Sequence, residues 1–136
     1  MWRRQLERAP PMRWPVVESG PVLAVAEPIR MGLDPSVSAE AVALCFEQAC
    51  ARTASPRLRT TWRQVSVEIL ALRGATALAL EALVKADRES VLLDADWIER
   101  CPLFGILQDD PTFGEIRHRM RELADRIWLA VPERAR

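Results

Sequence analysis

From Phe113 onward the apolar residues fall at Ile116, Met120, Leu123, Ile127 and Ala130, in alternating steps of three and four. That period keeps one stripe of a helix against a neighbour. The other face carries Arg117, His118, Arg119, Arg121, Glu122, Asp125 and Arg126, so the pattern predicts one long amphipathic helix. Asp110-Pro111 marks its start. A carboxylate at the cap accepts a free backbone N–H, and proline is tolerated in the first turn because its missing N–H has no partner there anyway. Glu115–Arg119 and Glu122–Arg126 stand in the favourable order, each pair contributing roughly 0.2–0.5 kcal/mol.

The same reading extends upstream. Asp94 and Asp96 are placed to cap a short helix through Trp97, Ile98 and Cys101. Pro102 is expected to end it, since the residue before a proline avoids the helical region. Gly105 then frees the backbone before Asp109, giving helix, elbow, helix. Earlier, Ser38 precedes a stripe of Ala39, Val42, Ala43, Phe46, Ala49 and Cys50. Ser55-Pro56 opens a second helix through Leu58, Trp62, Val65, Ile69 and Leu72, with Gly74 as its stop. A third runs from about Ala75 to Arg88, packing through Leu78, Ala79, Ala82, Leu83 and Ala86. The connections are short, so successive helices should be antiparallel neighbours. The expected architecture is all-α, antiparallel helical hairpins numbering five or six helices, over residues 36–131 with a tail at 132–136.

Residues 1–35 have a different composition. Six of the ten prolines lie there, at 10, 11, 15, 21, 28 and 35, which argues against a long helix. Trp2–Ala9 is expected to form two helical turns. Val22–Ala26 reads as extended, able to dock on the helical body with Trp14, Val16 and Val17 as anchors. The segment is either such a docked arm or a mobile leader.

Charge narrows the function. Nineteen basic and nineteen acidic residues cancel, which weighs against a dedicated nucleic-acid or membrane-surface binder. All the basic residues but Lys85 are arginine, and tyrosine and asparagine are absent, a bias expected of a GC-rich, bacterial coding sequence. The apolar runs are shorter than the roughly 18 residues a membrane helix needs. Prolines interrupt any signal-like core near the N-terminus. Three cysteines without a secretion signal suggest reduced thiols, and hence a cytoplasmic protein.

No reaction chemistry emerges. His118, the only histidine, sits on the polar face of the last helix, where a general base or ligand competes with a plain solvated residue. Cys45 and Cys50 are separated by about 140° around a helix and do not converge on one metal; Cys101 does not complete a zinc site. Asp109-Asp110 and Asp94/Asp96 precede helices, where capping accounts for them. No nucleophile has a base at readable spacing, and the five glycines form no phosphate loop. No metal, no cofactor and no enzymatic activity are expected.

In Trp62–Ala86 a tryptophan early in one helix, Gly74 at the turn, then Ala79, Leu83 and Ala86 resemble the tetratricopeptide-repeat pattern, where small residues let helices approach closely. Val42, Phe46 and Ala49 repeat the spacing. Leu93-Asp-Ala-Asp-Trp-Ile-Glu-Arg-Cys-Pro-Leu-Phe, followed by Asp110-Pro-Thr-Phe113, is similar to the end of such arrays in large bacterial signalling proteins that carry Ser/Thr protein kinase or adenylate cyclase domains. The resemblance covers roughly residues 56–128. No kinase glycine loop, His-Arg-Asp signature or cyclase carboxylate pattern is present, so it implies the regulatory or scaffold end without the catalytic part. Arginine beside tryptophan is the composition of binding hot spots, which makes Arg59, Trp62, Arg63, Arg117 and Arg121 the candidate partner-binding residues. The expected function is a protein-interaction scaffold whose partner is a protein such as a kinase or cyclase. The alternative is a small helical nucleic-acid-binding regulator using the arginine-rich face of Arg57, Arg59 and Arg63 or that of the last helix. Because stacked repeats need about three units for stability, the chain reads either as a remnant of a longer array or as one that forms a homodimer to cover its open end.

Overall fold

A computed structural model describes residues 20–89 and 94–130. Among them there are six α-helices, one 3₁₀ helix and no strand. The helices are α1 (Gly20–Leu33), α2 (Ala39–Arg52), α3 (Pro56–Leu72), α4 (Thr76–Arg88), α5 (Ala95–Arg100) and α6 (Pro111–Ala130), with the 3₁₀ turn at Pro102–Leu107 between α5 and α6. The turns expected for Trp2–Ala9 and the tail at 132–136 lie outside the described residues.

The main correction is α1. Residues 20–33 are helical, where proline density suggested an extended Val22–Ala26. Pro21 falls in the first turn, where proline costs no hydrogen bond. Pro28 does sit inside the helix and forfeits one, but it is buried against the body. Tertiary packing outweighs local propensity here. α1 lies on α2 and α3, so the helical body begins ahead of residue 36. The crossing with α3 is tight: a Cβ added at Gly32 would lie 2.5 Å from Ile69 Cγ2. Arg73, at the far end of α3, closes the joint. Its Nη1 donates to the carbonyls of Gly32 and Asp34, each at 2.9 Å, and its Nη2 to that of Val37. These include carbonyls that the end of α1 leaves without helical partners.

The next three helices form where the caps and stripes placed them. Ser38 Oγ accepts from the Ala41 amide at 3.2 Å and Ser55 Oγ from that of Leu58 at 3.4 Å. α3 ends in a left-handed Gly74 at φ 72°. The Ala75 amide donates to Leu70 O and the Gly74 amide to Ala71 O, which reverses the chain into α4. α4 runs back along α3, because Glu89, just past its end, reaches Arg63 midway along α3. Ala79, Ala82, Leu83 and Ala86 are buried at that crossing.

α3 is the central helix, and its burial departs from a single stripe. Trp62, Arg63, Ser66, Val67, Ile69, Leu70 and Ala71 are buried, while Leu58 and Leu72 at its ends are exposed. With α1, α2, α4 and the 3₁₀ turn all against it, most of its circumference is covered.

Asp94 caps α5, accepting from the Asp96 amide at 2.8 Å and more weakly from that of Trp97. Asp110 caps α6, accepting from the Thr112 and Phe113 amides at 2.8 and 3.4 Å. Pro102 does not only stop α5; it opens the 3₁₀ turn, and Gly105 lies inside that turn without using the positive-φ region. The turn drives Phe104 inward, edge-on to Trp97 at 4.7 Å and beside Phe113 at 5.9 Å. Trp97 Nε1 donates to Glu68 of α3, fastening the elbow to the central helix. Among the described residues no helix is long and apolar enough to cross a membrane.

Candidate functional site

The stripe of α6 is only half covered. Phe113, Ile116 and Met120 are buried and Leu123 is half-buried, but Ile127 is 53% exposed and Trp128 58% exposed. The cause is length. At 1.5 Å per residue α6 spans about 30 Å and α4 about 20 Å, since they hold 20 and 13 residues. Arg119 of α6 meets Asp87 in the last turn of α4 at 2.7 Å. Beyond that point α6 overhangs its support.

The overhang and the start of α5 enclose an open apolar groove of about 330 Å³, lined by Asp94, Ala95, Met120, Leu123, Ala124, Ile127 and Trp128. Its polar groups are already engaged. The Asp94 carboxylate is the α5 cap. Arg121, on the adjoining side, grips Glu99 with both Nε (2.7 Å) and Nη2. That bond holds the Glu99 carboxyl below the ordinary glutamate range. The remaining charges of this part of α6 lie on its far side, where Glu122 is 3.5 Å from His118 Nε2.

The five residues singled out from the sequence do not assemble into one surface. Trp62 is 3% exposed and packs on Phe46 with ring centroids 6.0 Å apart. Arg63 is 5% exposed and bonds Glu47 of α2 and Glu89, the latter at 3.1 and 2.6 Å through Nε and Nη2. Burial alone would lower its pKa, but the hydrogen bonds to Glu89 and Glu47 raise it on balance. Lys85 joins the cluster, 3.5 Å from Glu47 and 3.3 Å from Glu81. Arg59 donates to the Thr53 carbonyl at 2.9 Å. Arg117 is half-buried, bonded to Gln108 at 3.0 Å and lying over the Phe113 ring. Arg121 alone of the five adjoins the groove. With Arg59 and Arg63 tied inward, Arg57 is the exposed member of the row Arg57, Arg59, Arg63.

The other candidate chemistry is dispersed. Cys50 is buried and Cys45 half-buried, and burial raises both thiols above their ordinary pKa. Among the described residues no three His, Cys, Asp or Glu side chains come together as a metal site. The groove itself had a readable signal: a 20-residue stripe facing partners too short to cover it. The structural arginines had none, because nothing local distinguishes Arg63 and Arg73 from Arg57.

No protein-family model matches the chain, and neither a curated protein nor a solved structure matches it.

Proposed function

We propose that this chain is a non-enzymatic protein-interaction module, a scaffold that takes an amphipathic helix into the groove beside the end of α6. The observation that carries the reading is the uncovered apolar end of α6, with Ile127 and Trp128 more than half exposed beside a pre-formed cleft. Exposed apolar clefts of this kind mark interaction sites, and a helix laid in a groove is a recurrent recognition mode. The groove replaces the arginine–tryptophan face as the proposed contact, since Trp62 and Arg63 are inside. A relation to tetratricopeptide hairpins is part of the proposal. It is supported by the resemblance over residues 56–128, the glycine turn between α3 and α4 and the alanines at their crossing. The resemblance also suggests the setting, a bacterial signalling system with a kinase or cyclase.

The test is affinity capture with tagged wild-type chain and with Ile127→Glu, from lysate of the host, at low and high salt. A protein partner should survive high salt on the wild type and be lost on Ile127→Glu. Recovery of nucleic acid alone, released by salt, would overturn the proposal.

A further inference from the structure

We infer that the helix that fills the groove is α6 of a second copy of this chain, laid antiparallel to the first. This rests on the reading of the groove above and names its occupant.

The residues facing the groove from α6 are Met120, Ala124, Ile127 and Trp128, with Leu123 on the inner edge. Met120, Ala124 and Ile127 follow a 4–3 spacing that places them along one seam. An antiparallel pair about a two-fold axis, which is the commonest symmetry of protein oligomers, sets Ala124 of each copy opposite Ile127 of the other. The small residue receives the large one, and the helices approach closely at two equivalent points. The same register brings Arg121 of one copy beside Trp128 of the other. Arg121 is held in place by its two bonds to Glu99, so its guanidinium is positioned to lie against an indole face.

Charge points to the same occupant. Among the described residues, the cation bordering the seam is Arg121, already matched within the chain by Glu99. An acidic partner helix therefore finds no free cation on this face, and the carboxylate in its lining, Asp94, already accepts the α5 amides. A helix that is equally apolar, with its one cation already neutralised, fits, and α6 is such a helix. Among the described residues no two like charges oppose each other along the seam, because His118, Glu122, Asp125 and Arg126 project from the other side of the helix. Two overlapping turns form a small interface, so the dimer should be reversible and concentration-dependent.

Sedimentation equilibrium of the full chain over a range of concentration tests this. The wild type is expected to rise from one to two chain masses. Ile127→Glu and Ala124→Lys alter positions outside the closed core, keep the helical circular dichroism, and should each weaken self-association by roughly tenfold or more. Mixing the two variants should restore a dimer, because this register sets residue 124 of one copy against residue 127 of the other. A wild type that stays monomeric throughout would overturn the inference. If Ile127→Glu nonetheless abolished capture of another protein, the groove reading would stand without it. A dimer that neither substitution weakens, or that the mixture fails to recover, would equally overturn the inference.

Discussion

Arg63 is the residue whose environment differs most from its sequence context. It lies beside Trp62 in a row of arginines, yet it is buried and clasps α2 to the end of α4 through Glu47 and Glu89. Removing one partner of a fully buried ion pair costs about 3–5 kcal/mol. Here the carboxylates keep contact with water, so Arg63→Ala should cost about 2 kcal/mol in urea unfolding, and Arg63→Met less. The clasp also has a pH signature. Its hydrogen bond to Arg63 holds the Glu89 carboxyl below the ordinary glutamate value of 4.5. In acid the unfolded chain takes up that proton first, so the contribution is complete above 4.5 and fades as pH falls through the lowered folded value. Stability measured against pH should therefore drop less steeply below 4.5 in Arg63→Met than in the wild type. An identical acid limb in both would contradict this assignment. Gly32 makes a second residue-scale case. Gly32→Ala forces a methyl into Ile69 and should cost about 1–3 kcal/mol. Gly114→Ala, in open space within α6, should gain about 0.5–1 kcal/mol from helix propensity. Thermal or urea unfolding of the two variants should shift in opposite directions.

At the scale of elements, α2, α3 and α6 were legible because a capping side chain and an apolar period agree, and α4 because its period follows the Gly74 stop of α3 without a side-chain cap of its own. Ser38, Ser55, Asp94 and Asp110 all make the capping bonds their positions imply. α1 was not legible. Its prolines argue locally against a helix, and what holds it, the close approach of Gly32 to Ile69 and the reach of Arg73 across to its last carbonyls, is a set of contacts between residues about 40 positions apart. The elbow was half legible. Pro102 announces the break, but the 3₁₀ turn that follows is chosen by the packing of Phe104 between Trp97 and Phe113. The candidate site shows the same division. The stripe of α6 was plain in the sequence, whereas the point at which it leaves the core depends on where α4 ends. Gly74→Ala tests the element-level account, since an L-residue at that positive φ is strained by about 1–2 kcal/mol, and the α3–α4 turn should destabilise accordingly in thermal unfolding.

For the molecule as a whole, the body closes around α3 at one end and leaves α6 projecting at the other. A chain that spent its apolar surface only on its own core would have stopped the stripe near Met120. Instead Ile127 and Trp128 continue it into solvent beside a formed groove, a surplus that contact with another helix would cover. The most direct measurement is amide hydrogen exchange of the full chain in dilute and in concentrated solution. Exchange should slow at high concentration only in the last turns of α6 and the start of α5, with α2, α3 and α4 unchanged, and Ile127→Glu should show no such slowing. Equal exchange of residues 121–130 at both concentrations, or protection that appears on another face, would contradict that contact.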